Sequence, residues 1–536
     1  MNRPENPAMA GKTFMLPICD KTLTQDVSGD FSLPDYQPEI KRLLRIGASV
    51  LPPVTYASGD TVDMSGSMDY FVLYTGNDDM LYCAPLNTEY RLSTPLTPSA
   101  KEEGASPEGN LSGWMGDEPT CFCHISPEAV SGRVTAPRRL NIKCRLDAKL
   151  KVYASCPAGV SNVSPDNTPM ESLTHTIPCV KLARGVGDTL PLQDDMILSP
   201  GEADTLRVIC AEGQVVVNEA LAGQDNITCR GEVLLKITLA HDENASEAVP
   251  TVSVAQRKLP FAQTIDMDGV SPDWQTCAHG ACSELSVEIS EGRLHTELGV
   301  TLEAMAQHDR PTLYTKDAYT TRRTTWGSYT TYRVEQALQC LNKNFTLSDS
   351  LPLSEVNLPS TARVVDVTAT ATPKELHRDK GKFHLSGDCR VHLVWQKEGE
   401  YGASEISLPF RYSFEDRDVS NGAALPDPTF QGCMQAVSCR ARMDGERIGI
   451  DAELCLMLRM TQAQDVTALS RVSMGGETTR RRGEYVICFP ASDDTLWSVA
   501  KRYNAPLTAL ALVNGLSSAA EPDSEDSLEG ARYLIV

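Results

Sequence analysis

Two short clusters in this 536-residue chain carry side chains able to hold a metal. Cys121-Phe122-Cys123-His124 offers two thiols and an imidazole, and Cys277-Ala278-His279-Gly280-Ala281-Cys282 offers the same set at wider spacing. Thiolate and neutral imidazole are zinc ligands, but a structural zinc site takes four of them, commonly as two pairs. Neither cluster has a second pair nearby. If the first cluster is a strand, alternation turns His124 away from both thiols. Cys277, His279 and Cys282 make the better local set, and incidental thiols in a loop are the reading that the missing pair favours. No metal and no other cofactor is expected.

Catalytic signatures are missing as well. The chain has no G-x-x-x-x-G-K-[ST] loop to cradle phosphates, no H-E-x-x-H pair and no G-x-S-x-G elbow. The expectation is a non-enzymatic protein.

The elements that would carry any site are β-rich. Three segments align without gaps over fifteen positions: Asp60–Tyr74 (DTVDMSGSMDYFVLY), Asp225–Leu239 (DNITCRGEVLLKITL) and Gly381–Trp395 (GKFHLSGDCRVHLVW). Each has an apolar residue (Val62, Ile227, Phe383), then a shared glycine (Gly66, Gly231, Gly387), then a run of β-branched, aromatic and aliphatic residues. Such a pattern predicts half-buried strands, and a glycine inside one marks a bulge or a close backbone approach. Alternating runs follow from Leu140, Gly292 and Glu446. This recurring order predicts three tandem related β-rich domains, 23–156, 188–307 and 345–472. Connectors span 157–187 and 308–344, both with β-branched alternation suited to pairing with a neighbouring sheet. An N-terminal extension covers 1–22. Loose polar segments are expected at 95–120 and 473–483.

Residues 484–536 change character. A short strand at Tyr485–Phe489 leads to Ser492-Asp493-Asp494-Thr495, a helix N-cap region. Leu496, Val499, Ala500 and Tyr503 share one helical face. Pro506 opens a second helix that stops at Asn514-Gly515, and Arg532–Val536 closes the module as a strand. The order is βααβ, so the whole chain is expected to be mainly β with a small α+β module at its end.

Composition limits the partners. The 49 Lys and Arg face 71 Asp and Glu, a formal charge of -22, which repels nucleic acid and anionic headgroups. No apolar run reaches membrane-span length, and the first twenty residues do not read as a signal peptide. Seventeen cysteines, an odd number without a recurring framework, point to free thiols in a reducing cytoplasm.

EYVICFPASDDTLWSVAKRYN, LVNGL and LEGARYLIV together resemble a LysM domain: opening strand, GDTLW-like turn and helix, Asn-Gly-Leu loop, closing strand. The usual glycine of the turn is Asp493, and Tyr533 stands where a leucine is usual. SLPDYQPEIKRLLRI resembles the entry signature of SPOCS domains. The Asp-x-x-Pro element of that signature is missing from the second and third copies. SPOCS-like units followed by one LysM domain is similar to the arrangement of SipL-like spore coat morphogenetic proteins of clostridia. That resemblance implies a mother-cell scaffold at the forespore surface, recruiting coat through stage IV sporulation protein A. It also implies a groove formed by Asp493, Asp494, Thr495 and Leu496 with Asn514, Gly515 and Leu516, engaging either a protein or peptidoglycan glycan. Residues 483–536 hold eight acidic against three basic side chains, which favours a basic protein surface over an anionic wall polymer. Trp497 reads as core.

Overall fold

The computed structural model describes residues 13–58, 61–96, 119–157, 170–241, 251–379, 382–414, 429–478, 485–516, 522–524, 528 and 531–536. Of the expected loose segments, 97–118 and 479–483 lie outside the described residues, as do residues 1–12 of the N-terminal extension. The chain is mainly β with two short helices near its C-terminus.

The first stretch runs through β1 (Thr13–Ser32), β2 (Ile40–Val50), β3 (Val54–Ser58), β4 (Thr61–Gly76), β5 (Leu81–Pro95), β6 (Thr120–Ala136) and β7 (Arg139–Pro157). One sheet has the order β1-β7-β6; in the other, β4 pairs with β2 and β3 on one edge and β5 on the opposite edge. The second stretch runs through β8 (Met170–Val186), β9 (Leu190–Ile197), β10 (Leu206–Ala222), β11 (Asn226–His241), β12 (Thr251–Asp266), β13 (Gln275–Ser290) and β14 (Arg293–Thr320). Its sheets are β10-β11-β12 and β13-β14-β8, with β9 also on β14. The third has β15 (Arg323–Pro352), β16 (Arg363–Asp379), β17 (Lys382–Lys397), β18 (Glu400–Ser413), β19 (Thr429–Asp444) and β20 (Arg447–Glu477), paired as β15-β20-β19 and β16-β17-β18.

The segments read as connectors hold strands. β8 pairs with the second half of β14, and β15 pairs with β20 along nearly its whole length. Thr13–Thr22, read as part of the N-terminal extension, is the start of β1, and Ser473–Glu477 is the end of β20.

The three aligned segments coincide with β4, β11 and β17, each the central strand of its sheet. Their shared glycine makes room for a cross-strand ring in all three and, at Gly231 and Gly387, for a neighbouring backbone carbonyl as well. Gly66, Gly231 and Gly387 stand opposite Tyr90, Phe261 and Phe410 in register. In each case the cross-strand ring lies over the glycine, and a Cβ there would come 2.5 Å from the Tyr90 hydroxyl or 2.7 Å from Phe261 Cζ. Within each stretch the two sheets pack face to face: Val62, Met64, Tyr70 and Val72 of β4 share a core with Leu140, Ile142 and Leu146 of β7. β11 packs on β14 and β17 on β20 in the same way. Each such fully buried aliphatic side chain contributes roughly 1.5–3 kcal/mol of transfer free energy.

The three stretches meet through bulges and buried charge. Register shifts fall at Leu43/Arg45, Val208/Cys210 and Val364/Asp366, and the extra residues Leu44, Ile209 and Val365 come together in one apolar cluster. A bulge re-aims a side chain off its sheet; here three bulges aim at one another. Beside them Arg45 pairs with Glu212 and with Asp366, the latter at 3.3 Å, and Lys236 also pairs with Asp366. A second junction is fully enclosed. Lys151 of β7 bonds Glu335 of β15 at 2.6 Å, Tyr153 and Thr461 donate to the other carboxylate oxygen at 2.7 and 3.1 Å, and Arg459 donates to the Tyr153 hydroxyl at 2.7 Å. Burial alone would raise the Glu335 pKa; the Lys151 and Arg459 charges outweigh it and hold the carboxyl below its ordinary range.

Candidate functional site

The C-terminal module follows the expected order: β21 (Ile487–Cys488), α1 (Leu496–Arg502), α2 (Leu507–Val513) and β22 (Leu534–Ile535). Thr495 caps α1, its hydroxyl accepting from the Ser498 N–H at 3.1 Å while Ser498 Oγ accepts from the Thr495 N–H at 2.9 Å. That reciprocal pair is a capping box. β21 and β22 pair antiparallel, Ile487 facing Ile535 and Cys488 facing Leu534.

Most of the seven expected groove residues have structural partners inside the module. Asp494 is buried, pairs with Arg502 and accepts from the Ala491 N–H at 2.9 Å. The Arg502 hydrogen bond is the largest cause of its lowered pKa. Thr495 is the cap, and Leu496 is 5% exposed in the module's core. Asn514 donates to the Leu510 and Ile535 carbonyls at 2.8 and 2.9 Å and accepts from the Ile535 N–H at 2.7 Å, which pins the closing strand to α2. Leu516 is half-buried against the core. Asp493 and Gly515 are exposed, Gly515 at φ +65°, the left-handed conformation that ends a helix.

Residues outside the module complete its setting. Asp317 of β14 accepts from the Trp497 indole N–H at 2.8 Å, from Lys501 at 2.6 Å and from the Tyr329 hydroxyl at 2.7 Å. Burial would raise the Asp317 pKa, but those three donors hold it below the ordinary value. Tyr319 donates to the Ala505 carbonyl at 2.7 Å and meets Trp497 edge-on at 5.0 Å between centroids. Leu173 and Tyr319 join the module's own core cluster. In the acidic loop, Asp523 pairs with Lys316 at 2.6 Å and His175 at 3.0 Å. Trp497 is core, as read, and also part of this dock. Nothing in the sequence announced Asp317, Tyr319 or His175; the alternation at 308–344 announced only a strand.

The module's other side is open. Cys488 and Leu534 point inward, while Ile487 (61% exposed), Phe489 (75%) and Tyr533 (54%) lie on the outer face of the two-strand ribbon with Tyr485. Glu521, Glu525 and Asp526 of the acidic loop lie outside the described residues.

The metal candidates do not assemble as the sequence grouped them. The Cys277 thiol lies 3.5 Å from that of Cys340, away from any grouping with Cys282. Among the described residues, the histidine and cysteine ligand atoms that converge within 4.8 Å of one another belong to His124, His279 and Cys433. The three come from β6, β13 and β19, and no local motif signals the set.

Fold and module together define a mainly β body with a small, docked α+β unit at the C-terminus. A family model identifies that unit as a LysM domain, matching residues 491–523, a kind of module that suggests binding to peptidoglycan or related glycans. No curated protein and no solved structure matches the chain. No helix among the described residues is long and apolar enough to cross a membrane.

Proposed function

We propose that this chain is a non-enzymatic adaptor in which three copies of a SPOCS-like β-domain hold a LysM module in fixed orientation for a protein partner. The observation that carries this reading is that Leu173 of β8 and Tyr319 of β14 are built into the module's core while Tyr485, Ile487, Phe489 and Tyr533 stay exposed on and beside its two-strand ribbon. An exposed apolar patch of this kind marks an interaction surface. Lys501 and Arg502, two of the module's three basic residues, are paired to Asp317 and Asp494, and residues 483–536 carry eight acidic against three basic side chains. A basic protein surface fits that balance better than an anionic glycan does. The resemblance to SipL-like proteins names the partner class, a stage IV sporulation protein A type coat protein in the mother cell. The thiols support a reducing compartment, since fifteen of the seventeen cysteines are buried, where they behave as small apolar side chains.

The LysM match, with Asp493 and Gly515 exposed on the two loops, favours peptidoglycan binding as the second reading. Full-length protein and Ile487→Asp and Phe489→Asp variants separate the two. Binding to purified stage IV sporulation protein A should be lost in both variants, and sedimentation with purified peptidoglycan should be weak throughout. Tight peptidoglycan binding that survives both substitutions, with no protein binding, overturns the adaptor reading in favour of the glycan one.

A further inference from the structure

His124, His279 and Cys433 occupy equivalent places in three hairpins. Counting from the turns, the return strands open at Arg139, Arg293 and Arg447, and the three residues pair with Lys149, Glu303 and Met457. Each of the three β-stretches thus delivers one side chain, from the same register position, to one point where their ligand atoms lie within 4.8 Å of one another. The two imidazole rings stand edge to face, 5.4 Å between centroids.

The surroundings leave polar atoms without partners. Glu303 is 1% exposed, and Arg184 Nε holds one of its carboxylate oxygens at 2.6 Å. The other, Oε2, has no hydrogen bond and lies 3.7 Å from His279 Nε2; His279 Nδ1 has no partner either. A buried polar atom without a partner costs about 1–3 kcal/mol, so the Glu303 oxygen facing His279 Nε2 is a lone-pair donor that a bound group between them would satisfy. Lys149, opposite His124 in register, turns its ammonium to the Pro373 carbonyl at 3.3 Å.

We propose that His124, His279 and Cys433 bind one zinc-class divalent cation, with Glu303 Oε2 as the fourth donor, and that the ion clamps the three β-stretches together. Two nitrogens, a sulfur and an oxygen are a zinc donor set, and tetrahedral zinc places such atoms about 3.3–3.8 Å apart, within reach of side-chain adjustment here. On binding, the Cys433 S–H bond breaks, the proton leaves to solvent and the sulfur lone pair goes to the metal. Thiolate and carboxylate then neutralise the ion's charge. Pro127, Cys282 and Ala436, each three residues further along the same strands, line a cavity of about 590 Å³.

The test uses full-length protein stripped with chelator and reloaded with zinc or cobalt(II). About one equivalent of zinc per chain by elemental analysis, a higher thermal midpoint with zinc, and a thiolate-to-cobalt charge-transfer band are expected. Cys433→Ser should abolish the band, and His124→Ala should weaken zinc binding by tenfold or more. Glu303→Gln should weaken it roughly tenfold to a hundredfold. The double variant Cys277→Ser/Cys282→Ser should bind normally. Should a variant fail to fold, the zinc-dependent midpoint of the unsubstituted protein still decides. Well under one equivalent in folded protein with no shift in midpoint overturns the proposal, as does a cobalt band that survives Cys433→Ser or vanishes in Cys277→Ser/Cys282→Ser.

Discussion

Two of the junctions that use buried charge, the one around Glu335 and the one around Asp317, are built differently. Between the first and third β-stretches, Lys151, Glu335 and Arg459 are all 3% exposed or less, and the carboxylate is satisfied on both oxygens from three sides. Where the LysM module meets β14, Asp317 is likewise well satisfied, but its partner Lys501 keeps a third of its side chain in solvent. Lys316, across from Asp523, keeps nearly half. A charge with no access to water must find its partners as the chain folds. A charge at a half-wet seam can return to water when the seam opens. The first junction belongs to the folding of the body, and the second is a latch.

The largest effect should come from the enclosed junction. Glu335→Gln leaves Lys151 and Arg459 buried without their anion, and breaking a buried pair on one side costs about 3–5 kcal/mol. Denaturant unfolding should show the loss as a lower midpoint. The pH dependence has a definite sign. The folded pKa of Glu335 is lowered, so its contribution is complete above the ordinary value of 4.5 and fades as pH falls through the folded value. The gap between wild type and Glu335→Gln should therefore close in acid. A gap that widens there would contradict the enclosed-pair account.

Asp317→Ala tests the latch. Removing a charged acceptor with three donors should cost about 1.5–3 kcal/mol, and the cost should fall on the module alone. Hydrogen exchange should speed up in α1 and α2 and stay unchanged in the central strands β4, β11 and β17. The pKa values of Asp317 and Asp523 are also lowered, so the dock should hold at neutral pH and loosen as pH drops below their ordinary 3.8. If Asp317→Ala shifts the global unfolding midpoint as far as Glu335→Gln does, the two junctions are not different in kind.

The comparison also explains what the sequence made legible. β4, β11 and β17 were readable because local spacing records both the alternation and the glycine that admits a cross-strand ring. The module was readable because caps, helix faces and the Asn514-Gly515 stop are all short-range signals. Strands β8 and β15 carried the right alternation, yet their pairing with β14 and β20 is long-range, so they passed for connectors. Long-range convergence hid the rest. Asp317 looks like any surface aspartate until β14 is placed under α1. His124 and His279 stood in the two clusters that the sequence offered, each grouped with its own local thiols, while Cys433 stood in neither, and one of three equivalent positions carries a different residue type. Asp494, Thr495, Leu496 and Asn514, read as groove residues, stand where ligand loops begin and end, and those are also the places where caps and strand ties are needed.

The smallest effect on stability, and the sharpest on partner choice, should come from the outer ribbon face. Phe489 is 75% exposed and Ile487 61%, so neither has much packing to lose. Phe489→Ser should change unfolding free energy by no more than about 0.5 kcal/mol, the range of ordinary surface substitutions. It should leave hydrogen exchange at the Asp317 latch untouched, because the latch is made by Trp497, Lys501 and Tyr329. An interface anchor behaves otherwise in binding: truncating a large aromatic at the centre of a contact commonly costs 2 kcal/mol or more, about a thirtyfold loss in affinity. Fluorescence or calorimetric titration against the protein partner reads that number directly. Asp317→Ala should leave intrinsic affinity nearly unchanged while loosening the module's attachment, so the two variants separate recognition from presentation. If Phe489→Ser binds as wild type does and Asp317→Ala does not, the partner reads the seam between module and body, and the exposed face has some other occupant.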